Sequence, residues 1–146
     1  MATAIDVAAY IVQEKQPITH MKLQKLVYYS QAWSLVWEEA PHFPEPIQAW
    51  VNGPVVPGLF AKFQGKFSIL PGDFPAGVGG ENLTETERDN IRKVLDFYGE
   101  KNPQWLSDLT HMEKPWQDAR TGLAGNERGS HEIPSASMAE YYGSLG

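Results

Sequence analysis

The segment from Thr19 to Trp37 constrains this chain more than any other. It carries apolar or aromatic side chains on most sides of a helix. Leu23, Leu26, Val27, Ser30, Trp33 and Trp37 form one stripe, and Tyr28, Tyr29, Ala32, Leu35 and Val36 form another. A helix that is apolar nearly all round is buried among other elements rather than laid along a surface. The rest of the chain therefore has to cover it. Thr19 stands at the N-cap position, and the helical pattern runs to about Glu38. The charges run against the helix dipole. Lys22 and Lys25 lie in the first two turns, and Glu38 and Glu39 lie at the far end. Each such placement costs about 0.3–1 kcal/mol when exposed. Either the lysines meet acids of a neighbouring helix, or His20, Lys22 and Lys25 form a cationic spot offered to an acidic partner or a phosphate. The residues alone leave both readings open.

The flanking sequence supplies the covering elements. Thr3 to Glu14 reads as a helix with Ile5, Ala8, Ala9 and Val12 on one face, and Pro17 breaks the chain after it. Pro41, Pro44 and Pro46 enforce a loop. Residues 47–51 alternate apolar and polar and predict a short strand; residues 67–70 predict another. Pro57 suits the first turn of a short helix through Leu59, Phe60 and Phe63. Pro71 to Asn82 is rich in glycine and proline and predicts a mobile loop. Thr84 and Glu87 form a capping box ahead of Ile91, Val94, Leu95 and Tyr98. Asp89 and Lys93 are spaced to pair, and Gly99 stops that helix. Asn102 and Pro103 open a further helix, Pro115 restarts a turn through Trp116, and Ser135 to Tyr142 is helical. The expected fold is mainly α: about six helices in one compact domain over residues 1–146, with a small antiparallel β element near 47–51 and 67–70. At 146 residues, with five Trp, six Tyr and six Phe, the chain can bury a core without covalent staples.

Composition removes several classes of function. The chain has no cysteine, so it has no disulfide framework, thiolate metal site or Cys nucleophile. His20, His42, His111 and His131 lack metal-ligand spacing. The formal charge of −6 argues against direct nucleic-acid binding. No run is long enough for a membrane span, and the first residues lack the basic region of a signal peptide, so the expected location is the cytoplasm. No P-loop, Gly-x-Gly-x-x-Gly or Gly-x-Ser-x-Gly motif occurs. The residues thus name no catalytic group, metal or cofactor, and the expected protein is not an enzyme.

Two further blocks stand out. Trp50-Val51-Asn52-Gly53-Pro54-Val55-Val56-Pro57 is a rigid corner in which Gly53 permits a positive φ and prolines fix the chain around it. It is either purely structural or an apolar loop that docks a partner. Leu109 to Arg120 gathers His111, Glu113, Trp116, Asp118 and Arg120, yet Pro115 separates His111 from Asp118. A polar network locking two helix ends is the expected role.

Ile18 to Tyr29, with its Lys22-Leu23-Gln24-Lys25-Leu26 core, then Ala49 to Pro57, then Leu109-Thr110-His111 with Pro115-Trp116 and Ala119-Arg120, together resemble the Panacea domain of SocA-like antitoxins, a family also found among phage-associated proteins. Thr19, Leu23, Gln24, Leu26, Trp50, Gly53, Pro54, His111, Pro115, Trp116 and Arg120 carry the resemblance. It implies an antitoxin of a toxin–antitoxin system that neutralises a toxin encoded beside it by direct protein–protein contact. One branch of the family acts instead as an adaptor delivering its toxin to an AAA+ protease. An enzyme or small-molecule binder using Lys22, Lys25 and His111 is the reading from a different class. For the partner surface, the aromatic and basic anchors typical of interfaces suggest Lys22, Lys25, Tyr29, Val55, Val56, Pro57 and Phe60.

Overall fold

The computed structural model describes residues 1–145. Its elements run α1 (Ala4–Glu14), β1 (Ile18–Thr19), α2 (His20–Trp37), β2 (Gln48–Trp50), β3 (Gly53–Val55), α3 (Pro57–Phe63), β4 (Ser68–Ile69), α4 (Glu85–Tyr98), α5 (Pro103–His111), α6 (Lys114–Ala119) and α7 (Ser135–Leu145). The architecture is mainly α, as expected. The turn restarted by Pro115 is a separate helix, α6, with that proline in its first turn.

Helix α2 is the axis of the molecule. It packs against α1, α4, α5, α7 and β3, and its run from Leu23 to Ala32 is buried without interruption. Around it one apolar cluster draws on every helix, including Val7, Ile11, Tyr28, Tyr29, Phe63, Ile91, Leu106, Trp116 and Tyr142. The caps expected at Thr19 and Thr84 form, and Asn102 caps α5 in the same way. Thr19 Oγ1 accepts from Lys22 N at 3.1 Å, Thr84 Oγ1 from Glu87 N at 3.1 Å, and Asn102 Oδ1 from Trp105 N at 2.7 Å. In each case a side-chain oxygen satisfies an N–H that the first helical turn leaves free.

Helices α2 and α4 lie antiparallel. Lys22 Nζ donates to the carbonyl of Gly99 at 2.5 Å, and Asn90 Nδ2 donates to Glu38 Oε2 at 2.9 Å. The partner of Lys22 is therefore a helix C-terminus rather than a carboxylate. A lysine that is unfavourable for its own helix dipole is favourable for that of α4.

The strand candidates both form, but not with each other. β1 pairs with β4, with Ile18 opposite Ile69. β2 pairs with β3, with Trp50 opposite Gly53 across a two-residue turn. Residues 131–133 run beside β2, where Ala49 N donates to His131 O and Ile133 N to Ile47 O, both at 2.8 Å.

Three local expectations are revised. Asp89 pairs with Arg92 at 2.5 Å, while Lys93 Nζ lies 5.4 Å from the centre of the Trp37 ring. The indole face offers Lys93 a competing site. Gly99 ends α4 at φ −64°, so the left-handed conformation is not its reason. A Cβ there would come within 2.8 Å of Lys15 Cε and closer still to Leu95 O, so close packing is the reason. The 71–82 loop is tethered: Asp6 Oδ1 accepts from Gly79 N at 3.0 Å and from Asn82 Nδ2 at 2.9 Å.

Candidate functional site

The β2–β3 hairpin is held by side chains rather than by a long ladder. Four successive carbonyls, from Ala49 to Asn52, each meet a different side chain of the 107–120 segment. Arg120 Nη1 donates to Ala49 O at 2.9 Å and Trp116 Nε1 to Trp50 O at 2.8 Å. His111 Nε2 meets Val51 O at 2.7 Å, and Ser107 Oγ donates to Asn52 O at 2.8 Å. A two-residue turn and short strands leave these acceptors without enough ladder partners, and buried carbonyls must be satisfied. The donors reinforce one another. His111 packs on Trp116 with centroids 4.1 Å apart, and Arg120 lies 5.1 Å from the same indole. Arg120 also donates to Ala124 O and Glu127 O, and so holds the loop that presents Arg128.

Helix α2 grips the other side of the hairpin. Gln24 Oε1 accepts from Val56 N at 3.0 Å, and Gln24 Nε2 lies 3.1 Å from His20 Nε2. One turn of helix thereby fixes both the exit of β3 and the His20 ring, which stacks on Phe60 at 5.3 Å. Burial, and then the charge of Lys25, hold His20 below its ordinary pKa, so the ring is neutral at pH 7. Beside Gln24, Lys25 passes across Gly53. A Cβ at that glycine would lie 2.5 Å from Lys25 Cε and 3.2 Å from Nζ, and its φ is +121°. Gly53 is thus required twice, for the backbone conformation and for the space the lysine occupies.

Between these two grips lies a cleft of about 730 Å³. Its walls include His20, Gln24, Lys25, Trp50, Phe60 and Arg128. Trp50 and Phe60 meet edge to face with centroids 4.9 Å apart. Lys25 lines it although only 1% of the residue is exposed. Burial pushes its ammonium down to about 8. Among the described residues no Asp or Glu lines the cleft, in a chain with 18 acidic and 12 basic residues.

A family model described as antitoxin SocA-like, Panacea domain, matches residues 23–117. The chain belongs to this family. No curated protein and no solved structure matches it. The Panacea-domain match takes in the whole hairpin, most of α2 and the first three donors of the hairpin clasp, while Arg120 lies just past it. Helices α1 and α7, outside the match, pack onto α2 from either end of the chain.

Within this Panacea fold the expected partner residues separate into groups. Tyr29 and Val56 lie in the core, at 0% and 2% exposure. Tyr29 stacks on Tyr98 at 4.0 Å and donates to Glu113 Oε1 at 2.7 Å. Lys22 is partly exposed at the far side of α2's first turn, on Gly99. Pro57 begins α3, half-buried. Lys25, Val55 and Phe60 come together in the cleft. The residues that carry the family resemblance lie in one assembly: Leu23 and Leu26 are buried, Gln24 and Trp50 anchor the hairpin, Pro54 is a strand residue, and Pro115 lies in the first turn of α6. His20 stands out in the sequence for its charge, yet its role in the wall is aromatic. Ser107, which meets the hairpin, and Arg128, which lines the cleft, escape sequence reasoning, because nothing in a polar segment marks which hydroxyl or guanidinium a distant element will meet. His111 is committed to Ser107 O and Val51 O, and lies outside the cleft, so it does not join the lysines. Among the described residues no group of three or more His, Asp and Glu is placed to hold a metal, and no helix is long and apolar enough to cross a membrane.

Proposed function

We propose that this chain is an antitoxin that neutralises a protein toxin encoded beside it by binding it directly, and that residues 1–146 act as one Panacea unit in the cytoplasm. The observation that carries this reading is the match to the SocA-like antitoxin family over residues 23–117. The cleft supports it. The paired blocks of that family converge there on a concave surface with aromatic walls and no acidic side chain among the described residues, which suits a protein ligand bound through anchor residues. Of the groups that could serve catalysis, His111 and Arg120 hold carbonyls and Glu113 accepts from two tyrosines, which leaves Lys25 in the cleft with no acidic side chain among the described residues beside it. These engagements favour a binding role over a chemical one.

The test is co-expression with the adjacent gene. The neighbour alone should arrest growth, and the pair should grow and co-purify as a complex. Growth arrest that persists in the presence of this chain would overturn the reading for that pair. Rescue that disappears in a host lacking its AAA+ proteases would replace direct neutralisation with adaptor-mediated degradation.

A further inference from the structure

Two cationic side chains are buried among the described residues, Lys25 and Arg120. Their situations are opposite. Arg120 donates to three backbone carbonyls. Lys25 Nζ has no hydrogen bond and no ion pair among the described residues, and burial alone displaces its titration. An unpaired buried ammonium is costly, and a neutral side chain of the same length would fill the space over Gly53 as well. The charge is also not enclosed. It lines a cleft whose volume, about 730 Å³, lies in the range of ligand sites. A binding group that is unpaired in the free protein and faces an acid-free cleft is the expected arrangement for a receptor of an anion.

The geometry points to a carboxylate from the partner protein: we infer that the cleft receives an Asp or Glu side chain of the bound toxin, carried next to an aromatic or large apolar residue, with the carboxylate on Lys25 Nζ and its apolar neighbour against Trp50 and Phe60. Charge complementarity selects the acid. One buried ammonium balances one carboxylate. A phosphate brings nearly two charges and three strong acceptor oxygens, and three neighbouring donors of α2 are already used. Lys22 N bonds Thr19 Oγ1, His20 N bonds Phe67 O, and Gln24 Nε2 faces His20. The apolar half of the ligand follows from the Trp50 and Phe60 rings, which meet in the wall of the same cleft. Arg128 is exposed at the edge and adds attraction at a distance.

The identity of the partner rests on the antitoxin reading; the chemistry of the cleft does not, and the two are tested separately. The purified chain is titrated with acetyl-Phe-Asp-amide, acetyl-Phe-Asn-amide and inorganic phosphate, followed by the amide signals of Lys25 and Gly53 and the indole N–H of Trp50 in NMR spectra. The Asp peptide should move these signals and bind at least tenfold more tightly than the Asn peptide, with phosphate weaker than the Asp peptide. Lys25→Met should keep a folded spectrum and lose the Asp-over-Asn preference. Equal binding of the two peptides, or tighter binding of phosphate, overturns the inference without any variant. In cells, Lys25→Met should fail to rescue growth from the toxin at wild-type expression levels. If the wild type and Lys25→Met both rescue, the antitoxin reading stands and this inference falls. If neither rescues while the peptide preference holds, the cleft chemistry stands and the toxin assignment falls.

Discussion

Lys25 concentrates the cost of the site in one residue. Its ammonium titrates at about 8 instead of 10.5 because burial removes it from water. A displacement of that size corresponds to about 3 kcal/mol held against folding at neutral pH. The sign follows from proton counting. Between about 8 and 10.5 the unfolded chain binds the proton and the folded chain does not, so stability rises with pH across that window. Below it, both states are protonated and the full cost remains. Lys25→Met should therefore raise Tm at pH 7, by several degrees at about 2–4 °C per kcal/mol for a domain near this size. The gap between variant and wild type should close as pH rises from 8 toward 10. Paired thermal melts check this, and the tyrosines, present in both proteins, cancel from the comparison. A Tm for Lys25→Met well below wild type at pH 7 would show that the ammonium has a stabilising partner. Gly53→Ala should be destabilising by about 2–3 kcal/mol in urea denaturation, from positive-φ strain together with the clash on Lys25 Cε. Because the lysine tip can move but the φ cannot, truncating Lys25 should not restore it.

At the scale of elements, the start of α2 is an exchange between two helices. Lys22 and the Gly99 carbonyl join the N-terminal turn of α2 to the end of α4. Lys22→Gln should cost about 0.5–1.5 kcal/mol through the lost charge-assisted bond, partly offset by removing a cation from the α2 N-terminus. Lys22→Glu, although favourable for α2 alone, should be worse, because it sets a carboxylate against the carbonyls of α4. Chemical denaturation of the two variants separates these effects, and Glu more stable than Gln would mean the α2 dipole dominates. The hairpin follows the same logic. Its strands are too short to be stable alone, and side chains from Ser107 to Arg120 provide the missing donors. Those donors meet the hairpin carbonyl by carbonyl, from Ala49 and Trp50 in β2 to Val51 and Asn52 in the turn.

Across the whole molecule, Glu113 ties three distant parts of the chain together. Its Oε1 accepts from Tyr29 of α2 at 2.7 Å and from Tyr142 of α7 at 2.8 Å, and the Tyr28 and Tyr142 hydroxyls lie 2.9 Å apart. Burial raises the Glu113 pKa, against the lowering effect of the two tyrosine bonds. Burial and the nearby carboxylate raise the tyrosines in turn. Glu113→Ala leaves two buried hydroxyls without their acceptor and should cost about 3–4 kcal/mol. Glu113→Gln keeps an acceptor and should stay within about 1 kcal/mol of wild type at acidic pH. The folded state holds the Glu113 proton more tightly than the unfolded state. Wild type should therefore lose stability relative to Glu113→Gln as pH rises from 4.5 through the raised value. Denaturation curves across pH 4–7 test this, and a constant difference would show that Glu113 titrates normally.

Local and repetitive features are legible in the order of the amino acids alone. Thr19 and Thr84 read as caps because a cap and the N–H it satisfies lie within three residues of one another. The burial of α2 is legible because apolar groups on all sides admit no other solution. The family blocks are legible too, and mark residues that build the hairpin and its clasp. Which partners those residues take depends on the folded arrangement. Lys22 visibly opposes its own dipole, but it takes the antiparallel placement of α4 to show that Gly99 answers it. Tyr29 has the character of an interface anchor until α7 and Glu113 enclose it. Lys22 and Lys25 are the same residue type, three positions apart on one helix. That spacing turns one toward a carbonyl that satisfies it and the other toward a cleft where none of the described residues does. The difference is one of long-range geometry, which no property of the two side chains encodes.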